Sequence, residues 1–148
     1  LSGCDNACNS TAVIDCAGVC GGSDTNCTAG TELEGIWSGT DNYSDIIIRT
    51  FNISGSDFNY TEVGHEEDED GEWYIGTFTL NTSLYPKQID ITIVDCYPDG
   101  SEYLGLTSLG IYKIEADTLT IVAPEPGVST RPSSFSDGGI RVFVLIKQ

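Results

Sequence analysis

Methionine is absent from the 148 residues, histidine occurs once, and lysine plus arginine number six against 23 aspartates and glutamates. The formal charge of −17 excludes partners that need a basic surface: nucleic acid, whose counterions must be displaced by Lys and Arg, and anionic membrane. Apolar runs of transmembrane length are also missing, so no membrane insertion is expected. The chain opens on Leu1 rather than Met, which predicts that any signal peptide has been removed or left out. With His65 as the single imidazole, no Ser/His/Asp or Cys/His pairing suggests itself. Acidic pairs such as Asp90 and Asp95 mean little where carboxylates are this frequent, and strand parity sets those two on opposite faces. A non-catalytic protein without a cofactor is therefore expected.

What the chain does have is cysteine, unevenly placed. Cys4, Cys8, Cys16, Cys20 and Cys27 crowd the first 27 residues, and the sixth, Cys96, stands alone in the remainder. Short spacings of this kind, with no methionine and few lysines, suit an oxidising, extracellular compartment. Five is odd, so if every cysteine is oxidised, one tail cysteine must reach Cys96 of its own domain or of a neighbour's; 15 pairings are open. Zinc is disfavoured, because the spacings C-x3-C and C-x7-C are not the paired C-x2-C of zinc sites. Leu1-Ser2-Gly3-Cys4 also looks like a bacterial lipobox, a second reading that would leave an awkward set of five thiols. Residues 1–30 are rich in Gly, Ser, Asn, Asp and Thr, and such a tail cannot bury enough surface to offset its own ordering entropy. It needs cross-links and a surface to dock on.

The asparagines support the same compartment. Asn9, Asn26, Asn42, Asn52, Asn59 and Asn81 each open an N-x-[ST] acceptor and only Asn6 does not, far above chance, so covalent N-glycans are expected at all six.

From residue 31 the pattern becomes β-rich, without helical periodicity of useful length. Strands are predicted over 33–38, 45–53, 58–63, 72–80, 88–97, 102–114, 118–123 and 140–147. Within the second, Ile47, Arg49, Phe51 and Ile53 share a face; within the fifth, Ile89, Ile91, Ile93 and Asp95 alternate against Asp90, Thr92, Val94 and Cys96. Pro98-Asp99-Gly100 signals a hairpin leading into the sixth strand. Eight sequential strands with short connections read as an all-β, eight-stranded up-and-down barrel over 31–148, carrying a cysteine-rich connector over 1–30. The aromatics Trp37, Phe51, Phe58, Tyr60, Trp73, Tyr74 and Phe78 would line a cavity or fill the interior, and filling is favoured. Arg131 and Arg141 are expected to bond loops or pair with carboxylates.

Two stretches resemble known proteins. Gly35-Ile36-Trp37, Gly76-Thr77-Phe78-Thr79-Leu80, Pro86-Lys87-Gln88-Ile89-Asp90, Leu109 to Ile114 with Asp117 to Ile121, Pro126-Gly127, Arg131 to Phe135 and Val142 to Lys147 are similar to a small lipocalin-like domain family abundant in planctomycetes. This resemblance implies a lipocalin-like barrel over 33–148 and transfers no catalytic residue; Cys96, the sequons and the acidic stretch depart from the family's pattern. Asp15-Cys16-Ala17-Gly18-Val19-Cys20-Gly21-Gly22 resembles D-C-x-G-V-C-G-G segments of extracellular surface proteins and of secreted thrombospondin-repeat metalloproteases, which implies a disulfide-bonded spacer.

The run Glu66-Glu67-Asp68-Glu69-Asp70-Gly71-Glu72 reads as a solvated loop. Set on an EF-hand frame, Glu66, Asp68 and Asp70 take the first ligand positions, yet Thr77 falls where a bidentate Glu belongs, leaving weak calcium bridging as the metal candidate. The functional expectation is a secreted, N-glycosylated structural protein, its tail docked on a neighbouring copy to build a head-to-tail filament or surface layer, helped by strand addition if the barrel is not closed. The alternative is a monomeric lipocalin-like binding module whose tail packs on its own barrel.

Overall fold

The structure, a computed structural model, describes residues 31–64, 71–97, 101–136 and 139–148. Eight antiparallel strands follow one another around a closed barrel: β1 (Gly35–Asp41), β2 (Ile48–Ser54), β3 (Asp57–Val63), β4 (Glu72–Asn81), β5 (Lys87–Tyr97), β6 (Thr107–Glu115), β7 (Thr118–Ala123) and β8 (Arg141–Lys147). Each strand pairs with its sequence neighbours, and β1 pairs with β8, with Trp37 opposite Lys147 and Asp41 opposite Phe143. The expected up-and-down barrel is the fold. Closure leaves no edge between the strands, so strand addition drops out as an assembly device.

Alternation decides which residues fill the interior. Phe51 and Ile53 on β2, Phe58 and Tyr60 on β3, Ile89, Ile91 and Ile93 on β5, and Phe143 and Leu145 on β8 are all buried while their neighbours face out. Phe51 lies 4.6 Å from Tyr60 and 5.4 Å from Phe143, ring centre to ring centre. These rings interlock at tilted and edge-on angles, the arrangement aromatic quadrupoles favour, and occupy the barrel centre. Of the aromatics considered from sequence, Trp37, Phe51, Phe58, Tyr60 and Phe78 are in the core and Tyr74 packs against it. Trp73 does neither: it stands outside, its ring near-parallel to Tyr97 at 6.2 Å.

Two local features depart from simple alternation. Gly76 faces Ile93 while Ile75 faces Asp95, so Val94 is an extra residue in β5, a β-bulge. Gly76 is required there, since a Cβ would run into the Thr92 carbonyl and the Phe58 ring. Beyond the bulge the parity of β5 inverts. Cys96 comes opposite Tyr74, on the side of the core, and Asp95 comes opposite the exposed Ile75, on the same outer side as Asp90. The expectation of opposite faces for Asp90 and Asp95 is corrected by that one inserted residue.

The second departure precedes β6. Strand was predicted from 102, but Ser101–Tyr103 form a short 3-10 turn, closed by Leu104 N donating to Ser101 O at 3.3 Å. Gly105, at φ 75°, then reverses the chain, and Leu106 N donates to Tyr103 O at 2.9 Å. Tyr103 packs on the core instead of extending a strand. Pro98-Asp99-Gly100 lies outside the described residues.

Candidate functional site

The two ends of the barrel are built differently. At the end where the chain enters, Thr31–Leu33 form a single 3-10 turn whose Leu33 is fully buried among the core residues. Gly35, at φ 121°, swings the chain from that turn into β1. Trp37 Nε1 donates to the Leu33 carbonyl at 2.6 Å, so the largest buried side chain is pinned by its one polar atom. Lys147, the last residue of β8, lies with Nζ 5.2 Å from the centre of the same ring, a cation–π contact. Glu32 takes a hydrogen bond from the Tyr112 hydroxyl and one from Lys87 Nζ at 2.7 Å. Burial, followed by the bond to Glu32 and its charge, pushes the Tyr112 phenol far above its ordinary value. This pole is closed.

At the opposite pole a charged cluster occupies the interior-facing positions of four strands. Asp41 ends β1, Arg49 sits near the start of β2, Glu62 near the end of β3, and Arg141 opens β8. Arg49 Nε lies 3.0 Å from Asp41 Oδ2 and 3.3 Å from Glu62 Oε1, and Arg141 reaches the same oxygens at 3.2 and 3.4 Å. The Asp41, Arg49 and Glu62 side chains are no more than 5 % exposed, whereas Arg141 is 43 % exposed and forms the outer layer. Asp41 Oδ1 also accepts from Tyr43 N at 2.9 Å and Ser44 N at 3.0 Å, fixing the turn after β1. Tyr60 donates its hydroxyl to Glu62. Burial first, then the Glu62 charge, pushes the Tyr60 phenol far upward. Two carboxylates and two guanidiniums balance, as burial requires. The cluster can plug the mouth and hold four strand ends together; its groups are turned on one another.

Sequence reasoning anticipated ion pairing for Arg141 but not the cluster. The signal was present, because Arg49 shares the parity of Phe51 and Ile53, and Glu62 that of Phe58 and Tyr60. Arg131, the other arginine singled out, donates to the Gly110 carbonyl at 2.6 Å and to Asp90 at 2.5 Å, strapping the 124–136 segment to β5 and β6.

Cys96 is half-buried one residue from the end of β5, at this same charged pole, opposite Tyr74. Desolvation, then the charges of Glu72 and Glu62 and the neighbouring Cys96, raise the Tyr74 phenol well above its usual range. Cys4, Cys8, Cys16, Cys20 and Cys27, Asn9 and Asn26, His65 and the calcium candidates Glu66, Asp68 and Asp70 lie outside the described residues. Among the described residues no three His, Cys, Asp or Glu gather as a metal site, and no helix is long and apolar enough to cross a membrane.

The four remaining sequon asparagines are all exposed. Asn42 is engaged: Nδ2 donates to the Ile140 carbonyl at 3.0 Å and Oδ1 accepts from Val142 N at 2.8 Å, tying the end of β1 to the start of β8. Asn81 Oδ1 accepts from the hydroxyl of Ser83, the third residue of its own sequon, at 2.7 Å. Asn52 and Asn59 stand directly opposite each other on β2 and β3.

These features define a closed, eight-stranded up-and-down barrel with a packed interior, one pole shut by a Trp-anchored turn and the other by an ionic cluster beside a cysteine. Comparison with family models, with curated proteins and with solved structures finds no match to the chain.

Proposed function

We propose that this protein is a secreted, N-glycosylated structural subunit that assembles head to tail, the cysteine-rich 1–30 segment of one copy joining the barrel of the next at Cys96. The observation that carries the reading is polarity. The chain enters the barrel at the pole closed by Leu33 and Trp37, and Cys96 stands at the other. From Gln88, next to the Lys87 that touches the entry turn, to Cys96 is eight residues of β5, about 26 Å along the strand and about 20 Å along an axis tilted by roughly 40°. Cys27 lies four positions before Thr31, a reach of at most about 14 Å. By chain length alone Cys27 falls short of that span, whereas Cys20, eleven positions before Thr31, and the three earlier cysteines have the length to meet Cys96 of either copy. A tail leaving one pole and an acceptor at the opposite pole suit a heterologous contact when the tail bridges two copies, and such contacts repeat into open fibres.

The filled interior points the same way, since Phe51, Tyr60 and Phe143 occupy the space a carried ligand would need. The test is size under oxidising conditions. Native material is expected to run as a ladder on non-reducing gels and to scatter as a polymer, both collapsing to one species on reduction. A single monomeric species by both methods overturns the reading in favour of a self-contained binding module.

A further inference from the structure

We infer that Asn52 and Asn59 are two acceptors for one glycan, carried by Asn59, with its first sugar seated in a depression built for it on the outer face of β2, β3 and β4. The inference rests on the glycoprotein reading above and adds to it a stoichiometry and a seat.

The depression is shallow and open to solvent, with a volume of about 230 Å³, and is lined by Asn52, Ser54, Asp57, Phe58, Asn59 and Ile75. Pockets for drug-sized ligands run to roughly 300–1,000 Å³, so this one suits a single ring. Its lining is mixed in the way a pyranose is mixed. The exposed Ile75 offers apolar surface to the ring's C–H face, Ser54, Asp57 and an asparagine amide offer partners to hydroxyl and acetamido groups, and Phe58, its ring turned into the core, closes the floor. Two of its six lining residues are themselves sequon asparagines, so a sugar attached to either begins at the rim.

The register limits how many the folded face can seat. Asn52 pairs with Asn59, and directly opposed outward side chains have Cβ atoms about 4.5–5.5 Å apart. Two sugar rings launched from that separation contend for one depression. Asn59 is the better placed, because its neighbour on the other side is Ile75 of β4, which also lines the depression. The neighbour of Asn52 on its other side is Ile36 of β1, which does not.

One tryptic peptide reports on the question, since residues 50–87 contain Asn52, Asn59 and Asn81 and no internal Lys or Arg. Intact glycopeptide mass and site mapping are measured on protein secreted from a glycosylating host. Glycans at Asn59 and Asn81, never three on one molecule and with the count unchanged in Asn52→Gln, are expected. Enzymatic release from the native protein is expected to be at least several-fold slower at Asn59 than at Asn81, and equal at the two after denaturation. Molecules carrying glycans at both Asn52 and Asn59, a glycan on Asn81 alone, or equal native release overturns this inference while leaving the glycoprotein reading standing. A peptide with no glycan at any of the three sites overturns both.

Discussion

Removing Arg49 probes the charged pole most severely. Its guanidinium lies 3.0 and 3.3 Å from two carboxylates and its side chain is 2 % exposed, so solvent does not screen the pairs. At an effective dielectric of about 20, each unit-charge pair near 4 Å is worth about 4 kcal/mol, much of it spent on desolvation. In Arg49→Met the stem volume is kept and the charge lost, leaving Asp41 and Glu62 to share the half-exposed Arg141. Truncating one partner of a buried network costs about 3–5 kcal/mol, a large part of the stability of a domain this size. With a urea m-value of about 2 kcal/mol/M the midpoint falls by about 2 M, read from tryptophan fluorescence and circular dichroism. Asp41→Asn alone leaves Arg49 and Arg141 with only Glu62, but keeps an oxygen to accept from Tyr43 N and Ser44 N. Asp41→Asn with Arg49→Met restores charge balance as a Glu62–Arg141 pair. The double variant is therefore expected to lose at least about 1 kcal/mol less than the sum of the single losses. A loss under about 1 kcal/mol for Arg49→Met, or strictly additive losses, refutes the view that the cluster holds the pole as a unit.

Alkaline pH tests both poles at once. Tyr60 and Tyr112 hold their protons in the folded state because burial and an adjacent carboxylate push their phenols upward. An unfolded chain releases them from about pH 10, so their contribution is complete below pH 10 and is lost above it, at about 1.4 kcal/mol per pH unit for each. Tyrosinate absorbance of these residues is expected only as circular dichroism reports unfolding; ionisation of all seven tyrosines in a folded protein contradicts this. Gly76→Ala places a methyl against the Thr92 carbonyl and the Phe58 ring and is expected to cost about 2–3 kcal/mol in thermal or urea unfolding. Gly55→Ala, in open space at φ 60°, is expected to cost about 1–2 kcal/mol, and equal losses at the two sites would contradict the proposed role of Gly76.

How far the sequence disclosed this molecule can be followed strand by strand. Period-two alternation grouped Arg49, Phe51 and Ile53 of β2 on one face and Ile89, Ile91 and Ile93 of β5 on another, and both faces are buried, because in an antiparallel barrel one face is inside and register cannot slip without exposing it. Alternation failed after Ile93, since parity counts residues and a bulge inserts one. Asp95 and Cys96 exchanged faces in consequence. The start of β6 was placed five residues early because Tyr103 has strand character by propensity but is used as a plug. The ionic cluster escaped notice for another reason. Its members come from four strands distant in sequence, and a charge on a core-facing position reveals its partners only once the barrel is closed.

The central claim is that Cys96 is bonded to the tail of a different copy. Equal amounts of light and ¹⁵N-labelled protein, reduced, mixed and reoxidised, then digested with trypsin without reduction, test it most directly. The relevant peptides are 1–49, holding all five tail cysteines, and 88–113, holding Cys96. The account predicts these two peptides joined, with about half of the joined pairs containing one light and one heavy partner, as random pairing between copies requires. Pairs that are solely light–light and heavy–heavy, or a Cys96 peptide never joined to 1–49, would contradict it.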